Sequence, residues 1–222
     1  MADGTADTPV EQAAIASPTA AAPWRAYDPL KRLLDVLVSG VGLLCASPLI
    51  AAIVLAIYLQ DGRPAFYTQV RVGWRGRSFR IYKFRSMVKN AEAATGAVLA
   101  TKDDPRITRV GRLLRKTAMD ELPQIVNIFL GHMSFVGPRP ERPELVAEIV
   151  TRLPDFRLRE QIRPGLTGLA QVYGRYYTEP EQKLPYDLDY VARRGLLLDL
   201  HLFLRSWRIT SKASWDSDQE KR

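Results

Sequence analysis

Residues 33–59 read LLDVLVSGVGLLCASPLIAAIVLAIYL, the longest apolar stretch in the chain, with Asp35 as its one charge. At 1.5 Å per residue this makes a helix of about 40 Å, enough for a hydrocarbon core of about 30 Å. Ser47-Pro48 falls in its middle. Proline has no amide hydrogen and crowds the preceding turn, so a kink or break is expected there. Basic residues flank both ends: Lys31 and Arg32 before, Arg63, Arg71, Arg75 and Arg77 after. Such balanced flanks give no inside and no outside. Two arrangements fit: a helix–break–helix hairpin that enters and leaves one membrane face, and a kinked helix that spans.

Past this stretch the periodicity changes. Residues 64–88 alternate apolar and polar groups, as in Phe79-Arg-Ile-Tyr-Lys-Phe84, which predicts strand. Gly73 and Gly76 around Arg75 predict a hairpin turn. Residues 89–100 read as a short helix or loop. Asp104-Pro105 has the form of a helix start, with Asp as cap and Pro first, for a helix through Arg109 to Arg115. Leu145 to Leu153 predicts another helix. Tyr190 to Ile209 predicts one amphipathic helix, with leucines, Phe203 and Trp207 beside Arg193, Arg194, Arg205 and Arg208. That composition suits a membrane interface, and equally a helix facing the core. Residues 1–23 hold too few large apolar groups to offset chain entropy, so a disordered tail is expected. The tail has no basic leader region, which argues against a secretory signal. No internal repeat is present.

Charge narrows the function. The chain carries 32 Lys and Arg against 24 Asp and Glu, a net +8. Residues 1–30 are net −3, which leaves +11 on the remainder. A body this basic favours phosphates, nucleic acid or an anionic membrane face. A single cysteine, Cys45, excludes an internal disulfide and any multi-cysteine metal site.

The candidate chemistry centres on Thr117-Ala-Met-Asp-Glu-Leu-Pro-Gln124. Asp120 and Glu121 are adjacent carboxylates between a basic stretch (Arg109, Arg112, Arg115, Lys116) and the apolar run Ile125 to Leu130. A carboxylate among arginines suits a phosphate substrate, as attacking group or as metal support. Neighbours on a helix diverge by about 100°, so both reach one site only at a helix start, where free amides also attract phosphate. The plainer reading is that acids favour first helical turns. Gly137-Pro-Arg-Pro-Glu-Arg142 sets Arg139 and Arg142 on a stiff backbone that suits a diphosphate, or a simple turn. Arg163-Pro-Gly-Leu-Thr-Gly168 is a glycine-bearing loop open to the same two readings. Asp103-Asp104 resembles a metal pair, but capping explains Asp104. His132 and His201 have no metal-ligand companions and read as structural. No Walker loop, paired-histidine zinc motif or nucleophile elbow is present.

Taken in order, these segments resemble the bacterial sugar transferases, specifically the monotopic polyprenol-phosphate phosphoglycosyl transferases. The resemblance covers about residues 30–210. It rests on Lys31-Arg32-Leu-Leu-Asp35, Ser47-Pro48, Arg71-Val-Gly73, Tyr82-Lys-Phe-Arg-Ser-Met87, Asp104-Pro-Arg-Ile-Thr108, Met119-Asp-Glu-Leu-Pro-Gln124, Met133-Ser-Phe-Val-Gly-Pro-Arg-Pro140, and Arg163-Pro-Gly-Leu-Thr-Gly168 with Ala170-Gln171.

The resemblance implies an α+β, mainly helical fold: a re-entrant membrane helix broken at Ser47 and Pro48, a small catalytic domain with a short β-hairpin, and interfacial amphipathic helices. The corresponding divisions are a tail over 1–28, the membrane helix over 29–60, the catalytic domain over 61–210 and a polar tail over 211–222. It implies transfer of a sugar 1-phosphate from a UDP-sugar to polyprenyl phosphate, with release of UMP, on the cytoplasmic face of a bacterial inner membrane. Asp120 matches the nucleophile and Glu121 its partner acid, with Mg²⁺ as cofactor held by both. Arg139 is the first candidate for phosphate contact, followed by Lys83, Arg85, Arg163 and Gln171. Membrane lipids are expected partners and nucleic acid is not; a homo-oligomer is neither required nor excluded. The chain departs from the family pattern at His132, Leu169 and Tyr173, where an acid, a tryptophan and an asparagine are usual. Its length resembles the compact form of the family. Two other classes compete. A membrane-anchored basic adaptor for lipid or nucleic acid would account for the charge and the anchor but not for the acid pair. A lipid-linked phosphatase would share the nucleophile yet need no nucleotide.

Overall fold

A computed structural model describes residues 25–91, 104–174 and 179–211. Most of the expected N-terminal tail, residues 92–100, Asp103 and the C-terminal tail beyond Ser211 lie outside the described residues. Helices dominate, and two two-stranded sheets complete the architecture.

Helix α1, Tyr27–Asp61, is one helical element that runs through Ser47-Pro48. The break expected there therefore does not divide it. Proline at position 48 removes the donor that would meet the Leu44 carbonyl. The Ser47 hydroxyl supplies a replacement, donating to Leu44 O at 2.8 Å. Local satisfaction of this kind lets proline persist inside an apolar helix. The helix is long and apolar enough to cross a membrane, and its leucines at 33, 37, 44, 55 and 59 are exposed. Gly62, at φ 68°, ends it.

Strands β1, Phe66–Val72, and β2, Ser78–Phe84, pair antiparallel with Phe66 opposite Phe84 and Val72 opposite Ser78. A 3₁₀ turn over Trp74–Gly76 joins them where the glycines indicated, with Arg75 and Gly76 both left-handed. On β2, Ile81 packs with Ile128 and Met133, while Phe84 packs with Ile53, Ile57 and Leu114. Lys83 lies between those two apolar anchors.

Helix α2, Arg109–Lys116, starts later than expected. Thr108 is its cap, accepting from Gly111 N at 3.0 Å. Asp104 is not a cap; its carboxylate takes the Arg106 amide at 3.0 Å and the Arg106 guanidinium at 2.6 Å. A charged fork two residues away outcompetes an orphan amide for that carboxylate.

Helix α3, Gln124–Leu130, carries the apolar run after the acid pair. Strand β3, Ser134–Val136, follows, then α4, Pro143–Arg152, and a 3₁₀ turn, Pro154–Gln161. Strand β4, Gly165–Thr167, pairs parallel with β3 and leads into α5, Leu169–Tyr173.

The single amphipathic helix expected over Tyr190–Ile209 is two: α6, Pro180–Arg193, and α7, Leu196–Ser211. The chain bends at Arg194-Gly195. The Arg194 guanidinium is buried there and grips Asp28 at 2.9 Å through both Nε and Nη2. Helix α7 buries Leu198, Leu202 and Ile209 against Val136 and Tyr190, and exposes Leu197, Leu200, Leu204 and Trp207.

Candidate active site

The acid pair sits in a turn, not at the helix start that the sequence suggested. Helix α2 ends at Thr117, and Ala118 adopts a left-handed φ of 53°. That conformation costs a residue with a Cβ about 1 kcal/mol. It turns the chain sharply into a 3₁₀ turn, Met119–Glu121, closed by Leu122 N donating to Met119 O at 3.1 Å. Pro123 then stands between the acids and α3.

Two cations converge on Glu121. Lys83 Nζ donates to its Oε1 at 2.6 Å. Arg139 Nη2 donates to the same oxygen at 2.6 Å, and Arg139 Nη1 approaches Oε2 at 3.4 Å. Lys83 comes from β2 and Arg139 from the loop after β3, so three distant segments meet here. Burial pushes the Glu121 carboxyl up, but the charges and hydrogen bonds of Arg139 and Lys83 outweigh this and hold it well below the usual carboxylate range. Asp120 behaves oppositely. Burial first, and then the Glu121 charge, push its carboxyl up to about 6, against the pull of Lys83, Arg115 and Arg139. Neighbouring carboxylates thus have opposite tendencies: the surroundings favour the anion at Glu121 and the neutral acid at Asp120.

The Arg139 loop is built by close backbone approach. Gly137 N donates to Thr167 O at 2.8 Å, and Gly165 N donates to Pro138 O at 2.9 Å. A Cβ at Gly165 would lie 2.1 Å from Gly137 N, so no larger residue fits there. The glycine-bearing loop at 163–168 therefore supports the Pro-Arg-Pro loop.

The other expected site residues are placed differently. Arg163 donates through Nε to Gly131 O at 2.9 Å, and its guanidinium lies 4.7 Å over the Trp74 ring. Arg32 donates to Ile128 O and Phe129 O beside it. Both arginines thus satisfy the C-terminal carbonyls of α3, the end away from the acid pair. Arg85 is buried and donates through Nη2 to Gly62 O at 2.7 Å, at the end of α1. Gln171 packs against Gly168, and its amide nitrogen and oxygen have no protein partner among the described residues. Ser47 and Pro48 lie within the apolar part of α1. The residues with family departures face elsewhere: Leu169 packs with Val136, Tyr173 meets His201 Nε2 at 2.8 Å, and the His132 ring lies 5.8 Å from that of Phe79.

Arg115, named in the sequence only as part of the basic stretch, was not singled out as a site residue. It donates to Ser86 Oγ at 2.9 Å, and its charge is among those acting on Asp120. The signal was its place in the last turn of a basic helix, five residues before Asp120.

No cluster of three or more His, Cys, Asp or Glu residues that could hold a metal occurs among the described residues. Two adjacent carboxylates nevertheless match how magnesium binds beside phosphates, through one or two carboxylates with substrate oxygens and water completing the shell. The donor set fits a cation that arrives with its substrate.

The bacterial sugar transferase family model matches residues 26–213. A UDP-N-acetylgalactosamine-undecaprenyl-phosphate N-acetylgalactosaminephosphotransferase from Aeromonas hydrophila is 38% identical over 82% of this chain and 44% of its own length. A UDP-glucose:undecaprenyl-phosphate glucose-1-phosphate transferase from Caulobacter vibrioides is 41% identical over 82% of this chain and 69% of its own. The exopolysaccharide production protein PSS of Rhizobium leguminosarum is 38% identical over 78% of this chain and 90% of its own. The chain spans less than half the length of the Aeromonas relative. With the family model covering nearly all the described residues, the chain belongs to the bacterial sugar transferase family.

Proposed function

We propose that this protein transfers a sugar 1-phosphate from a UDP-sugar to a polyprenyl phosphate, with undecaprenyl phosphate as the acceptor that the relatives' names point to. One observation carries the reading beyond family membership. Glu121 is gripped by Lys83 and Arg139 at 2.6 Å each, while burial and the Glu121 charge push the carboxyl of its neighbour Asp120 up to about 6. A carboxylate that ionises close to working pH is a better nucleophile than one stabilised by salt bridges.

In this mechanism an Asp120 carboxylate oxygen attacks the β-phosphorus of the donor. The bond from that phosphorus to the bridging oxygen breaks, and UMP leaves with the electron pair. An oxygen of the polyprenyl phosphate then attacks the same phosphorus and releases the Asp120 carboxylate. Two displacements let a soluble and a lipid substrate use one site in turn. In this mechanism Arg139 and Lys83 offset charge on the diphosphate, and their contacts with Glu121 hold both beside Asp120. Asp120 and Glu121 would hold magnesium, which when bound neutralises phosphate charge. Residues 61–210 act as the catalytic domain.

Helix α1 supports the re-entrant arrangement over the spanning one, because both its ends are bonded to the same body. Arg32 binds α3 at one end, and Ile53 and Ile57 pack against Phe84 and Leu114 toward the other. The proposal includes a cytoplasmic catalytic face at the inner membrane, as the family resemblance implies. The exposed Leu197, Leu200, Leu204 and Trp207 of α7 suit the membrane interface.

The test is to incubate the protein with UDP-N-acetylgalactosamine or UDP-glucose and no acceptor. A phosphosugar adduct on the peptide containing Asp120, absent in Asp120→Asn, is the expected result. UMP release by Asp120→Asn would overturn the nucleophile assignment. Binding to anionic vesicles or RNA, with no UMP from any donor, would favour the adaptor instead.

A further inference from the structure

The Pro-Arg-Pro segment is stiff for a reason that reaches beyond its prolines. Pro138 and Pro140 lack amide hydrogens, so the segment is held mainly through its carbonyls. Four consecutive carbonyls accept from four different places. Pro138 O takes Gly165 N at 2.9 Å, and Glu141 O takes Val72 N at 2.9 Å. Pro140 O takes Arg71 Nη1 at 3.1 Å. The carbonyl of Arg139 itself takes Arg159 Nη2 at 2.7 Å.

Arg159 is an unexpected residue to find there. Its side chain is 7% exposed, and Nη2 also pairs with Asp187 Oδ2 at 2.8 Å, a carboxylate only 1% exposed. The guanidinium lies 4.7 Å over the Phe156 ring. Burying an ion pair costs several kcal/mol per ion before attraction repays it, and apolar residues of like volume often stabilise a core better. A net gain in stability is therefore a poor account of this pair. What it does supply is a charged donor at one carbonyl, with Asp187 against the same Nη2 and the Phe156 ring under the guanidinium. That donor sets the peptide plane leaving Arg139, while Pro138 and Pro140 constrain the backbone on either side.

We propose that Arg159, held by Asp187, is a positioning residue that aims Arg139 at Glu121 and at the donor diphosphate. This deepens the transferase reading and rests on it for the second target. The pair joins the 3₁₀ turn after α4, helix α6 and the active loop. A side chain whose backbone root is fixed loses less freedom when its guanidinium clamps a ligand. Displacement of a positioned group by about 1 Å can cost about 100-fold in rate.

A double-substitution cycle tests this. UMP release from UDP-N-acetylgalactosamine or UDP-glucose with undecaprenyl phosphate is measured for wild type, Arg159→Met, Arg139→Met and the double variant. Arg159→Met is expected to lower kcat/KM by about 10- to 100-fold. In the Arg139→Met background the same change should cost less than about twofold, because its route of action is gone. Equal losses in both backgrounds would overturn the proposal. Should Arg159→Met not fold, Arg159→Lys and Asp187→Asn run the same cycle, and Lys should rescue in part. A crystal structure of the variant needs no turnover. Arg139 Nη2 is expected beyond hydrogen-bond distance of Glu121 Oε1, with α6 in place, and an unchanged contact would overturn the inference. Absence of UMP release by wild type from either donor would count against the transferase reading while leaving that structural result decisive for Arg159.

Discussion

Asp120 and Glu121 share a turn and differ in what surrounds them. Burial and the Glu121 charge push the Asp120 carboxyl up to about 6, so the anion that the proposed mechanism requires is lost as pH falls through that value. The kcat/KM profile is therefore expected to show an acid limb with a midpoint near 6. Replacing Glu121 by Gln removes the repulsion and leaves burial opposed by the same cations, so the limb should move to lower pH even as the rate falls. A limb that stays or rises would contradict the assignment. Linkage gives a second consequence. A carboxyl raised in the folded state is neutral in both states below about pH 4 and burdens the fold only once it ionises, so wild type loses stability through this group as pH rises from about 4 through 6. Asp120→Asn should accordingly melt about 2–4 °C above wild type at pH 8, the shift produced by about 1 kcal/mol in a domain of this size. The gap should vanish near pH 4. Thermal denaturation at the two pH values decides it, and a variant less stable at pH 8 would count against a burdened carboxylate.

The site is carried by the placement of α2 against the chain that leaves β2. Thr108 N donates to Ser86 O at 3.1 Å, and Arg115 Nε donates to Ser86 Oγ at 2.9 Å, so one residue receives both ends of the helix. Gly111 permits the approach: a Cβ there would stand 2.0 Å from Ser86 O. Gly111→Ala should push α2 away, cost about 2 kcal/mol by overpacking, and weaken the hold on Arg115. A lower denaturation midpoint together with a reduced rate is expected; unchanged values of both would show that the elements give way freely. Legibility in the sequence follows the same division. The hairpin was readable because alternation and Gly73–Gly76 are local signals, and α4 because its apolar spacing is. The α2 start was misplaced because Asp104 prefers the Arg106 fork, a competition that capping rules do not weigh. The bend between α6 and α7 was hidden by continuous amphipathic spacing across Arg194-Gly195. Asp120, Glu121, Lys83 and Arg139 were legible as chemistry, and the last three converge. Arg163 was not separable from them, since a capping arginine and a phosphate-binding arginine look alike in sequence. The parallel pairing of β3 with β4 joins residues about thirty apart and leaves no periodic trace.

Across the molecule, the polar anchors along α1 bear on the re-entrant arrangement proposed for it. At the start of the helix Asp28 meets Arg194, Lys31 meets Asp199, and Arg32 meets the end of α3. Toward its end Gln60 accepts from Val110 N at 2.9 Å, and Gly62 O accepts from Arg85 at 2.7 Å. A straight helix of 35 residues measures about 52 Å, and one that crossed the bilayer would offer only one end to a body on one side. Here both ends are tied to one body by charged or amide groups that need water or protein partners. The leucines between them stay exposed. Cysteine probes placed singly at the exposed residues Ala26 and Arg63, with Cys45→Ser to remove the native thiol, read this directly in sealed vesicles of one orientation. An impermeant maleimide should label both positions or neither, and detergent should expose both equally. Labelling of one alone would mean that α1 spans, that the anchors at one end are released in the membrane, and that the catalytic body meets its lipid acceptor from a different geometry.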